Sequence, residues 1–288
     1  MSVDVLQDKI RKKKNPAMLL LSCDLGEIPA EIFEKQDSVA RACASYFGAL
    51  LEELQDLIPA VRVSFSSFAL LGPEGMEILP KLLKQAAELG YYVALDAPEA
   101  LTPQAAAVAA ETFRNGTYLF DGLVISGYLG SDILKAFLPL CKKENKDLFV
   151  VARTGNRSAS ELQDLLTGSR LVHMAAADQV NRYAGDCVGK HGFSQVGIVA
   201  GASSSESLRL LRSTYPQLFM LLDGFDYPNA NARNCSFAFD KFGHGAAACA
   251  GSSITGAWKR EEKSDFRKSA RAAADRMRKN LTRYTTIL

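Results

Sequence analysis

The chain has 288 residues, 48% of them hydrophobic and 23% charged, which suits one sizeable core and falls within the range of a single α/β barrel. Thirty-four basic residues against 32 acidic ones leave a formal charge of +2, too balanced to imply a nucleic-acid or membrane-surface partner, and neither is expected. No run approaches the roughly 20 apolar residues of a membrane span, and residues 1–16 are charged rather than signal-like, so a cytoplasmic location is expected.

Residues 3–14 form a short basic amphipathic run ending in Arg-Lys-Lys-Lys, read as a solvated terminal helix in an extension over residues 1–17. Residues 18–23 are an apolar strand ending at Asp24, and residues 31–57 carry apolar side chains at helical spacing up to Pro59. A second strand, 61–65, contains Arg62, a charge that needs a partner or water. Gly72-Pro73-Glu74-Gly75 reads as a loop, and a helix over 76–89 closes at Gly90.

The third strand, 91–95, runs into Asp96, and a Pro-containing turn hands over to the Ala-rich helix 103–113. A fourth strand spans 119–126 and is followed by a helix to about residue 143. A fifth spans 148–152 and ends in Arg153-Thr154-Gly155-Asn156; the helical region 158–190 that follows breaks near Gly168. Strands six and seven are 196–200 and 218–222, with a helix from Ser203 between them; 245–250 is apolar enough to close a barrel, and 261–281 reads as a final charged helix.

Eight strand signals alternating with helices argue for a single-domain (β/α)8 TIM barrel over residues 18–288, because parallel strands need helical crossovers and cover on both faces. A doubly wound open sheet is the structural alternative, without the glycine fingerprints of its nucleotide-binding versions. Cys23, Cys43, Cys141, Cys187, Cys235 and Cys249 are scattered and are expected to be reduced core residues. His173, His191 and His244 stand at no zinc-ligand spacing, and no metal is expected.

Several pieces carry a resemblance by their order and spacing: Cys23-Asp24; Ala60-Val61-Arg62-Val63 followed by Phe68 to Gly75; Leu95-Asp96-Ala97; Gly127 to Asp132; Arg153-Thr154-Gly155-Asn156; and Val196 to Ala202. Together they resemble the bacterial branch of the orotidine 5'-phosphate decarboxylase family over residues 19–258. The resemblance implies a cofactor-independent carboxy-lyase of pyrimidine biosynthesis. In that family an Asp-x-Lys-x-x-Asp signature after the third strand, with a second-strand lysine, faces the reacting carbon. It also implies a homodimer in which the second acid of the signature reaches into the partner's site.

Set against that signature, Asp96 matches the first acid, Pro98 stands at the proton-donating lysine, Leu101 at the second acid, and Arg62 at the second-strand lysine. No lysine lies between Lys84 and Lys135, so no shift of register supplies a donor. At the phosphate end the turn after strand seven reads Asp223-Gly224-Phe225-Asp226, Ile254 stands at the phosphate-gripping arginine, and Gly155 replaces a serine.

Asp96, Arg62 and Asp24 are therefore the candidate catalytic positions, and Arg153, Thr154, Asn156 and Asp223 the candidate ligand-binding ones. The plainer reading pairs Arg62 and Arg153 with Asp24 and Asp96, and makes Asp223 and Asp226 turn residues. Three functions stay open: a decarboxylase-like barrel that has become a binding or regulatory protein with an unknown small-molecule ligand; an enzyme of changed activity using the polar mouth; and a working decarboxylase.

Overall fold

Short aliphatic runs bounded by turn residues become strands only if both faces are covered, and here closure into a barrel does so. The computed structural model describes residues 1–260 and 265–288. Its strands are β1 (Ala17–Leu21), β2 (Ala60–Ser64), β3 (Tyr92–Asp96), β4 (Gly122–Ser126), β5 (Asp147–Val151), β6 (Ser194–Gly201), β7 (Leu218–Asp223) and β8 (Ala246–Ala250). Each pairs in parallel with the next, and β8 returns to β1, so the open-sheet alternative is excluded. The longer helices are α1 (Ser2–Lys13), α2 (Val39–Leu54), α3 (Gly72–Glu88), α4 (Pro103–Arg114), α5 (Ser131–Glu144), α6 (Val172–Ala184), α7 (Ser205–Thr214) and α8 (Phe266–Tyr284). Among the described residues no helix is long and apolar enough to cross a membrane.

Alternation along the strands separates two cores. Leu19, Val61, Val93, Leu95, Leu148 and Leu222 face outward to the helices. Met18, Ala60, Tyr92, Ala94, Phe149, Phe219, Leu221 and Cys249 fill the lumen. The same period of two carries Arg62 inward from the middle of β2 and Asp96 and Asp223 inward at the carboxyl ends of β3 and β7, which fixes where a site can form.

Four expectations are corrected. The run over 3–14 is not a solvated helix: Val3, Leu6 and Ile10 of α1 are buried in the lumen cluster and plug the amino-terminal end of the barrel. The single helix expected over 31–57 is split into Ala30–Phe33 and α2, because extended Ser38 accepts a hydrogen bond from the Arg41 amide and starts a new helix. The glycine-punctuated loop at 72–75 is the first turn of α3, entered through Gly72 at φ 75°. Within 158–190 the break at Gly168, φ 63°, is the tip of an antiparallel hairpin pairing Leu166 with Leu171. Of the final helix, residues 261–264 lie outside the described residues, and α8 begins at Phe266.

Candidate functional site at the barrel mouth

Arg62 rises from β2 into the mouth with only 8% of its surface exposed. Its Nε donates to Asp96 Oδ1 at 2.6 Å and its Nη1 to Asp223 Oδ1 at 3.1 Å, so β3 and β7 hold one guanidinium from two sides. Burial works against the cation, but the two carboxylates outweigh it, and Arg62 stays charged. Burial also raises the Asp96 carboxyl, which Arg62 only partly offsets. Beneath them burial pushes the Cys249 thiol up to about 12, leaving it a neutral packing group.

Asp24 follows β1 and accepts the Gly26 amide at 2.9 Å, capping a short turn. It lines a mouth cavity of about 340 Å³ together with Glu27, Asp223, Asp226, Tyr227 and Ser252. Four carboxylates therefore surround this space. Glu27 was not singled out by the sequence: its carboxylate accepts from Thr255 Oγ1, its carbonyl accepts the Trp258 indole N–H at 2.7 Å, and burial raises its acid. Among the described residues no group of three acids, cysteines or histidines is arranged to hold a metal ion.

Asp226 is more than a turn residue. Its Oδ2 accepts the Gly251 amide at 2.6 Å and its Oδ1 the Ser253 amide at 3.2 Å, so the amides that follow β8 already carry a carboxylate of the chain itself. Ile254 is 1% exposed and points into the core rather than the cavity.

The loop after β5 goes elsewhere. Arg153 forms a two-pronged pair with Asp164, Nε to Oδ1 and Nη2 to Oδ2 both at 2.8 Å, and not with Asp24 or Asp96, which corrects the plainer reading. Those bonds hold the Asp164 carboxyl below its usual range; Asp164 also lies 3.2 Å from His173 Nδ1, and burial keeps that imidazole neutral. Thr154 Oγ1 donates to Asn156 Oδ1 at 2.5 Å, and the Thr154 amide donates to Gln163 Oε1 at 2.8 Å. The structure thus joins Arg62, Asp96 and Asp223, sets Asp24 in the adjoining cavity, and stitches Arg153, Thr154 and Asn156 to the segment before the hairpin. A Cβ at Gly155 would sit 2.7 Å from the Asp223 carbonyl oxygen and 3.0 Å from Gly224 Cα, so the loops after β5 and β7 meet backbone to backbone.

The closed parallel barrel is a (β/α)8 fold that matches solved orotidine 5'-phosphate decarboxylases. The resemblance read from the sequence extends along the whole chain. It is 28% identical over 260 residues to the orotidine 5'-phosphate decarboxylase of Rhodopirellula baltica, covering 86% of each chain. It is 23% identical to that of Caldicellulosiruptor bescii, covering 96% of this chain and 97% of the other. The OMP decarboxylase structure of Leishmania donovani superposes with a TM-score of 0.76 at 22% identity, covering 98% of both chains. No family model matches the chain.

Proposed function

We propose that this orotidine 5'-phosphate decarboxylase-like barrel does not decarboxylate orotidine 5'-phosphate and serves as a binding or regulatory protein. The observation that carries this reading is the enclosure of Arg62 between Asp96 and Asp223 with Pro98 two residues further on. The relatives are named for the decarboxylase, and the reaction that the resemblance implies needs an ammonium that stabilises and then protonates a ring carbanion. Arg62 keeps a positive charge but not a transferable proton at neutral pH, and Pro98 has no side-chain proton. Rate enhancements of this kind need on the order of 20 kcal/mol, which a mouth without its acid does not supply.

The phosphate end supports the same reading. Asp226 sits on the amides after β8, and Asp223, Asp24 and Glu27 add negative charge around the cavity. A phosphate entering there meets like charge instead of a guanidinium fork. The test is carbon dioxide release from orotidine 5'-phosphate by protein produced in a host that lacks its own decarboxylase. Background rates are expected, and turnover by the unmodified protein overturns the proposal.

A changed activity is the second reading, favoured by the cavity of about 340 Å³ that Asp223, the partner of Arg62, lines. Native mass spectrometry of the purified protein separates the two: a copurified small molecule that is chemically altered on incubation supports an enzyme, and one released unchanged supports a binder.

A further inference from the structure

The net charge of +2 conceals a segregation that only the fold reveals. At the end of the barrel opposite the mouth, the carboxyl end of α1 lies beside α8, and two adjoining clefts of about 580 and 420 Å³ share Arg278 as a common wall. Together they form one groove lined by Lys13, Lys14, Lys268, Arg271, Arg278 and Lys279 against the two carboxylates Asp56 and Asp275. Glu53 also approaches Arg271 at 3.8 Å, which leaves an excess of three positive charges, more than the +2 of the entire chain.

The pairing inside the groove is incomplete. Arg271 is held by Asp56 at 2.6 Å, and Arg278 and Lys279 share Asp275 at 2.6 and 2.8 Å. Lys14 and Lys268 make no ion pair among the described residues. Lys13 Nζ donates to the Ile58 carbonyl at 2.7 Å, and burial, with the neighbouring Lys9, pushes its ammonium down to about 8. Such crowding of like charge is relieved by an anion. Thr282, Thr285 and Thr286 line one end of the groove, and Tyr284, also on α8, is exposed.

We propose that the groove between α1 and α8 binds a single-stranded polynucleotide through its phosphates. Lys13, Arg271 and Arg278 are half-buried in the groove while Lys14, Lys268 and Lys279 stand exposed along it, an arrangement that a flexible chain of phosphates can follow from one cation to the next. The 19 residues of α8 extend roughly 28 Å at 1.5 Å per residue, room for several nucleotides. Recognition is by backbone charge, hence strongly salt-dependent and largely blind to sequence. This site is independent of the mouth.

The test is fluorescence anisotropy of the full chain with a labelled single strand of about 12 nucleotides, titrated from about 50 mM salt upward. With about four phosphates neutralised, the slope of log affinity against log salt is expected near −3. The double variant Lys14→Asn, Lys268→Gln removes the two unpaired cations; both residues are exposed, and asparagine tolerates the left-handed backbone of residue 14, φ 47°. It is expected to bind about tenfold more weakly with a slope shallower by about 1.4, at an unchanged melting temperature. Absence of binding at low salt overturns the proposal, as does a double variant that binds like the parent. Binding to phosphatidylserine vesicles without binding to the oligonucleotide overturns it in favour of a membrane surface.

Discussion

Arg62 and Asp96 meet across the β2–β3 pair, Nε to Oδ1 at 2.6 Å, although the strand register sets Arg62 beside Ala94 and Asp96 beside Ser64. The diagonal contact is available because a long side chain on β2 reaches one inward position further along β3. A charge drawn from water in this way is tolerated because Asp223 closes the other side.

Removing the cation therefore leaves two carboxylates facing each other. Arg62→Met is expected to lower the unfolding free energy by about 3–5 kcal/mol at neutral pH. The loss is expected to shrink in acid, since Asp96 already holds its proton more tightly than an ordinary carboxyl and neutralises early as the pH falls. Urea denaturation at several pH values measures both effects. An equal loss at every pH contradicts the electrostatic origin.

Asp147 gives the opposite dependence at the other end of the barrel. It is fully buried at the start of β5, its Oδ2 accepts from the Tyr92 phenol at 2.6 Å, and burial raises its pKa to about 8, with Asp121 adding in the same direction. The folded chain thus keeps a proton that the unfolded chain releases above about pH 4. This contribution is fully present below that value and is lost as the pH rises through about 8, at up to about 1.4 kcal/mol per pH unit. Asp147→Asn keeps an acceptor for Tyr92 and is expected to flatten the slope, gaining on the parent most at pH 8 to 9. Parallel melting curves of parent and variant against pH would show that Asp147 ionises freely.

A homodimer remains our proposal for the assembly. Leu101 is 69% exposed and Val108 68% exposed, and an apolar groove lies along Phe65, Ala105, Phe113 and Tyr118. Such surface on one side of the mouth is more than scattered exposure explains. Sedimentation is expected to give twice the 31.3 kDa chain mass, and Leu101→Glu to shift it toward the monomer. A parent that sediments as a monomer at micromolar concentration refutes this.

Uridine 5'-monophosphate is expected to give no measurable heat in calorimetry at millimolar concentration. Losing charge-assisted contacts costs about 1.5–3 kcal/mol each, and the carboxylates around the cavity act in the same direction. Ile254→Arg is not expected to rescue binding, because that side chain is buried; it should instead lower the melting temperature. Micromolar affinity in the parent would mean that Asp226 gives way to phosphate.

Apolar runs of five or so residues, each ending in a polar residue and followed by a helical period, determined the barrel. That pattern depends only on local burial and chain direction, which a sequence carries directly. It also placed Asp96 at the carboxyl end of the third strand and Arg62 within the second, since those are matters of spacing. Of the partners, the sequence suggested Arg62 with Asp96, and the tertiary structure decided the rest. Periodicity states which face a side chain takes, not which of several distant acids it meets: Arg62 finds Asp223 161 residues away, and Thr255 finds Glu27 across 228. Arg153 turned to Asp164 instead of the mouth because the segment before the hairpin folds back over the loop after β5, a packing event with no local signal. The burial of α1 has the same cause, since its apolar stripe is too short to reveal whether it faces water or the open end of a barrel.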